Sequence, residues 1–267
     1  MIYVGFTIIP LNEQPLKIPI LSLCIPLLIF CFSATAQTHN EMHVDLPDET
    51  EETSVIDRGQ WQIEAAGLFN GYADTTSSTI GQFMLRYGIS RKIEMRLLVE
   101  DGRNRDHYTE ETVQSTYPLA IGLKAAIFEG HGLVPDITIV SYLKLPFTSH
   151  SKEQVSYWSP ILLAAFENRI GDKWTIGYNV GMQQEAFSSE WVVLTNASVH
   201  YKISEPVEVF TEYYAQFSAQ QLPMHNAGMG IAWQPSENVE LFVSAGSTLD
   251  HDPSNYFMNG GLAYRFE

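Results

Sequence analysis

From Gln60 onward, apolar and polar residues alternate with a period of two. That spacing sends successive side chains to opposite faces of a strand. In the first segment Trp61, Ile63, Ala65, Gly67 and Phe69 share one face, and Gln62, Glu64 and Asn70 share the other. Over 93–100, Ile93, Met95, Leu97 and Val99 alternate with Glu94, Arg96, Leu98 and Glu100. Over 207–217, Val207, Val209, Tyr213 and Phe217 stand against Glu208, Glu212 and Gln216. Followed to the end, the alternation predicts about twelve strands: from 60, then 79–89, 93–100, 119–128, 137–145, 160–168, 174–183, 191–202, 207–217, 227–233, 239–246 and 256–266.

The connections differ in length. Tight turns fall at 88–92, 129–132, 170–173, 204–206 and 235–238; longer polar links span 101–116, 148–157 and 248–255. Short turns on one side and long loops on the other are the habit of outer-membrane barrels. Trp61, Tyr87, Trp174, Trp191, Trp233, Tyr256 and Phe266 sit near strand ends, where an amphipathic ring suits the membrane interface. A soluble β-sandwich is the competing architecture. Against it, ionisable residues occupy many strand centres: Glu64, Arg86, Glu94, Arg96, Lys124, Lys144, Glu208, Glu212 and Arg265. A closed barrel houses them in a wet lumen and removes the unpaired edges that lipid forbids. The predicted fold is all-β: a transmembrane antiparallel barrel with short periplasmic turns, longer outer loops and both ends of the barrel in the periplasm.

Composition agrees. Charged residues are 17% of the chain, against about 25% in a typical soluble protein. Mean hydropathy is −0.07, as expected where lipid-facing and lumen-facing residues cancel. A net charge of −16 argues against nucleic acid, whose phosphates require Lys and Arg.

The chain before Gln60 is organised differently. Lys17, an apolar run over 18–32 and then Ala34-Thr35-Ala36 predict a cleaved secretory signal over 1–36. Both cysteines, Cys24 and Cys31, fall inside it, so a mature chain carries no disulfide or Cys-ligated metal. Residues 37–58, with Asp45, Asp48, Glu49, Glu51 and Glu52, read as a flexible acidic periplasmic leader, or alternatively a docking peptide. The barrel then covers 59–267.

Three stretches resemble a known family. They are Leu46-Pro47-Asp48-Glu49-Thr50-Glu51-Glu52 followed by Gly59-Gln60-Trp61-Gln62-Ile63-Glu64; the hairpin Met84-Leu85-Arg86-Tyr87-Gly88-Ile89-Ser90-Arg91-Lys92-Ile93-Glu94-Met95-Arg96; and Tyr142-Leu143-Lys144-Leu145-Pro146-Phe147. Together they look like the outer-membrane proteins named for the phenol meta-degradation pathway, a family of transporter-type barrels. The resemblance spans nearly all of the mature chain and is most specific in the hairpin. Leu46 stands where the family favours Arg, and Phe147-Thr148 replaces Thr-Gly. The resemblance implies a barrel in the bacterial outer membrane and passage of small solutes, hydrophobic or aromatic by the family's name.

Catalytic and metal constellations are sparse. Asn196, Ser198 and His200 share one face at i, i+2, i+4, a set similar to that of outer-membrane phospholipases; a lumen-lining polar stripe is the simpler reading. Asp250, His251 and Asp252 are the one candidate cation cluster, short of the ligands a metal site wants. The functional expectation is a channel or transporter without cofactor or metal, not an enzyme. Its filter is the opposed charges of the nine ionisable residues named above. The alternatives are a non-conducting structural or surface-interaction barrel and, more remotely, an outer-membrane lipid hydrolase. The expected partners are outer-membrane lipid and lipopolysaccharide, the barrel-assembly machinery and a small solute.

Overall fold

The computed structural model describes residues 42–47, 49–71, 76–150, 156–219, 222–249 and 255–266. The predicted signal over 1–36 lies outside the described residues. Strands follow one another almost without interruption: β1 (Trp61–Gly71), β2 (Thr76–Ser90), β3 (Ile93–Asp106), β4 (Thr112–Thr116), β5 (Ala120–Phe128), β6 (Asp136–Lys144), β7 (Ser159–Ile170), β8 (Trp174–Gln184), β9 (Trp191–Ser204), β10 (Val207–Ser218), β11 (Met224–Ser236), β12 (Val239–Thr248) and β13 (Tyr256–Phe266). One 3-10 turn, Pro146–Thr148, follows β6.

All pairings are antiparallel, and β1 pairs with both β2 and β13, from Trp61↔Phe266 to Gly71↔Tyr256 along the seam. The sheet therefore closes. The ring holds twelve strands, because β4 and β5 lie end to end along β3. Pro118 divides them: it has no N–H to give the ladder, and pairing lapses over 117–119. The link 101–116, predicted as a loop, is a hairpin instead. Its strands extend β3 past the rim, where water meets both faces, so no apolar face imposes the period-two signal.

The barrel is apolar outside and polar inside. Leu162, Val180, Met182, Met229, Val243 and Met258 are exposed on the outer wall, whereas Gln62, Glu64, Arg86, Glu94 and Lys124 are fully buried on the inner one. Closure satisfies the backbone along every strand and leaves lipid only side chains to meet, which makes this a transmembrane barrel of the bacterial outer membrane. Aromatic pairs mark the short-turn rim: Trp61 lies 4.4 Å from Tyr87, and Trp174 4.5 Å from Tyr201, between ring centroids. Trp191 and Tyr256 open their strands at the opposite rim.

Candidate functional site

Residues 42–58 do not trail into the periplasm. They enter the lumen from the short-turn end, and the described part fills it. At the base, Gly59 N donates to Gly88 O (2.8 Å) and Gly88 N to Gln60 O (3.1 Å). Gly88 has no room for a Cβ, because the carbonyls of Ile56 and Asp57 pass over it. From there the segment climbs, turns near mid-height and descends again to Met42 beside Gln234. The expected flexible leader is thus corrected to an internal plug; residues 37–41 and Asp48 lie outside the described residues.

The plug has no regular structure, so its buried backbone groups must find partners elsewhere. The wall supplies them. Ile56 N donates to Glu94 (2.9 Å), Glu51 N to Asn179 (2.7 Å), Glu49 N to Glu212 (2.9 Å), and the N–H groups of Asp45 and Leu46 to Glu64 (3.0 and 3.1 Å). In the other direction, Thr138 donates to Thr53 O (2.6 Å), Ser244 to Pro47 O (3.0 Å), Asn259 to Leu46 O (2.8 Å) and Gln62 to His43 O (2.7 Å). Glu167, Asn196 and Gln234 add contacts from β7, β9 and β11. With Arg86 of β2 and Lys124 of β5, every strand of the twelve-membered ring holds the plug.

A charge cluster forms its centre. The Asp45 carboxylate accepts from Lys124 (3.0 Å through Oδ1) and from Arg96, and forms an ion pair with Arg86 (3.0 Å through Oδ2). Arg96 Nη1 also reaches Glu51 (2.8 Å) and the Tyr142 hydroxyl (2.8 Å). Tyr142 attains this position by lying across Gly122, where any Cβ would collide with its ring. Glu64 and Glu94 of the wall complete the cluster, at 2.6 and 2.7 Å from Arg86. These side chains are almost fully buried except Glu51, at 19% exposure. Burial alone would raise the Asp45 carboxyl, but Arg86, Arg96 and Lys124 together hold it well below the usual carboxylate range. Glu51 shifts the other way: burial and the neighbouring Asp45 charge outweigh Arg96 and Lys124.

The plug separates two cavities. One of about 380 Å³ faces the short turns and is bounded by Thr50, Glu51, Glu167, Lys173, Lys202 and Glu240 among others. The second, about 230 Å³, lies toward the long loops. Its wall is mixed: Met84, Val140, Leu163 and Phe257 line part of it, Gln82, Glu100, Lys144, Asn196 and Glu212 another part, and Asp45 and Glu51 of the plug border it.

The nine ionisable residues singled out from sequence all belong to the inward-facing register. Glu64, Arg86, Glu94, Arg96 and Lys124 converge around Asp45. Glu212 accepts a plug amide. Lys144 pairs with Glu100 (3.1 Å) beside the apolar cavity. Glu208 bonds His200 (2.8 Å), and Arg265 donates to Glu237 O (2.7 Å) at the short-turn rim. The expected opposed charges are present in the lumen; they pair partly with one another, and Asp45 and Glu51 of the plug take the remaining contacts of Arg86, Arg96 and Lys124. Asp45 and Glu51, the residues that sequence reasoning left out of the site, are its hub. Their signal was complementarity: an acidic segment beside a wall whose predicted inner face carried three cations on adjoining strands.

Ser198 and His200 do approach, at 3.0 Å, but their third partner is Glu208; Asn196 instead binds Glu49 O. Ser198 is 2% exposed and abuts Gly177 beneath Thr50. His251 and its neighbouring aspartates lie outside the described residues, and no group of three metal-ligating side chains occurs among the described ones.

Comparison with solved structures gives barrels throughout. The COG4313 outer membrane channel from Pseudomonas putida F1 is similar at 14% identity and a TM-score of 0.60, covering 80% of this chain and 98% of that one. The NanC porin matches at 8% identity and 0.55, covering 76% and 98%. The β domain of the Bordetella autotransporter BrkA matches at 10% and 0.52, covering 79% and 100%. At such identities the likeness is one of fold. Comparison with curated proteins found no match. The family model described as "Putative MetA-pathway of phenol degradation" matches residues 44–266, plug and barrel together, and the chain belongs to that family.

Proposed function

We propose that this barrel is a gated outer-membrane channel for small apolar or aromatic solutes, and that the plug is its gate. The observation that carries this is the nature of the plug's attachment. It is held by side-chain hydrogen bonds and ion pairs, while the wall closes through β1–β13 without using any plug residue. Withdrawal of residues 42–58 toward the periplasm therefore joins the two cavities and leaves every strand pairing intact. Within the cavity on the long-loop side, Met84, Val140 and Leu163 gather around the Tyr142 ring, a patch that favours a solute with a hydrophobic body, since burying such a surface releases about 25 cal/mol per Å².

Hydrolysis is the weaker reading. The Ser198–His200–Glu208 chain has the order of a nucleophile, base and orienting acid, but the serine is only 2% exposed. We propose that it serves as wall polarity.

The experiment is a comparison of the mature chain with a variant lacking residues 37–58, both refolded and reconstituted in planar bilayers. The expected result is rare or small current steps from the full chain and stable, larger steps from the truncation. A folded truncated barrel that never conducts would sink the channel reading.

A further inference from the structure

We infer that the Arg86–Arg96–Lys124 cluster is a recognition site for the carboxylate of a small organic acid with an apolar body, and that Asp45 occupies it as a built-in stand-in. This rests on the gated-channel reading and names its solute class.

The geometry is that of a bound carboxylate. Lys124 reaches both oxygens of Asp45 (3.0 and 3.1 Å), and Arg86 and Arg96 approach Oδ2, so cations converge on it from β2, β3 and β5. The wall does not neutralise this set by itself. Glu94 takes the Nε atoms of both arginines and Glu64 takes Arg86 Nη1. Arg96 Nη2 bonds Asp45, and Lys124 pairs with Asp45 and Glu51, with Glu94 opposite it on the β3–β5 ladder. Once the plug leaves, three cations face two wall carboxylates, and the surplus positive charge sits where Asp45 was. Those cations offer charge-assisted hydrogen bonds to whatever enters, so the vacated place favours another anion.

A second observation supplies the rest of the ligand. The cavity that borders Asp45 and Glu51 has a mixed lining, and within it Met84, Val140 and Leu163 form an apolar patch around the Tyr142 ring. An aromatic ring or short acyl chain fits there while its carboxylate takes the Asp45 position. Neutral solutes gain only the apolar patch; acetate gains only the charges. Because such an acid competes with Asp45, it binds the undocked state alone and shifts the gate toward open.

The test uses the refolded full chain and its Asp45→Ala variant, with folding checked by heat-modifiable gel mobility. Calorimetry in detergent should show benzoate binding to Asp45→Ala at least tenfold more tightly than benzamide or acetate. Adding Lys124→Gln should remove that preference, and benzoate, not benzamide, should raise the open frequency of the unmodified channel. Equal binding of benzoate and benzamide, or indifference to Lys124→Gln, would overturn the assignment. If Asp45→Ala conducts but does not discriminate, this inference falls and the channel survives. If it discriminates but neither it nor the truncated barrel conducts, the reverse holds.

Discussion

Replacing Asp45 by Ala is the sharpest test of the plug. Its carboxylate is 1% exposed and touches three cations whose side chains are fully buried. Removing one partner of a buried ion pair costs about 3–5 kcal/mol, because the remaining charges lose their counter-charge without gaining water. At 1.4 kcal/mol per factor of ten, the docked plug should weaken by roughly 10²- to 4 × 10³-fold. The assay is open probability in single-channel recordings at fixed voltage and salt. Glu52→Ala is the control: its pair with His43 (2.9 Å) is about a third exposed on each side, and exposed pairs contribute about 0–1 kcal/mol. The Asp45 variant should open at least a hundredfold more often than the control. Equal open probability in the two would refute the claim that the central cluster, rather than the periphery, holds the gate.

Acidification should not open the channel between pH 7 and pH 5. A depressed carboxyl such as Asp45 strengthens docking above its free-state pKa and loses that contribution only as the pH falls through its lower docked value. Glu51 is raised, so its protonation favours the docked state; an open probability that climbs across that window contradicts both signs. Gly88→Val should strain the base of the plug against Ile56 and Asp57 by about 1–3 kcal/mol, read as faster protease cleavage within 42–58 while gel mobility of the barrel stays unchanged. Nitroxide-lipid quenching should place Trp61, Trp174 and Trp233 at one headgroup level and Trp191 at the other; a tryptophan found at the bilayer centre would contradict the strand register. Ser198→Ala should leave conductance unchanged and abolish no esterase activity, whereas a lost fatty-acid release would revive the hydrolase reading.

The twelve-strand ring was legible because lipid outside and water inside impose a period-two pattern at each spanning segment. Where that contrast ends, the signal ends: the hairpin of β3 and β4 beyond the rim reads as a polar loop because both its faces meet water. The inward register of Glu94 and Arg96 likewise followed from alternation with Met95 and Leu97. The plug was illegible for a different reason. A segment such as Leu46-Pro47 to Glu52 has no periodicity and little apolar surface, the composition of a disordered tail. It is ordered by partners scattered from Gln62 to Asn259, and no local pattern encodes contacts at such separations. Gly122 shows the same limit at one residue: nothing nearby in sequence announces that Tyr142 must cross it.

The covalent join between plug and β1 at Gly59 and Gln60 has a consequence of its own. A plug tethered this closely never diffuses away, so its local concentration stays in the millimolar range or above. Any free solute competes against that fixed supply of Asp45. The barrel therefore has a threshold: dilute solutes meet a shut wall, and only those that bind tightly or accumulate hold it open. The same tether returns the plug when the solute has passed, so the gate resets without an energy source.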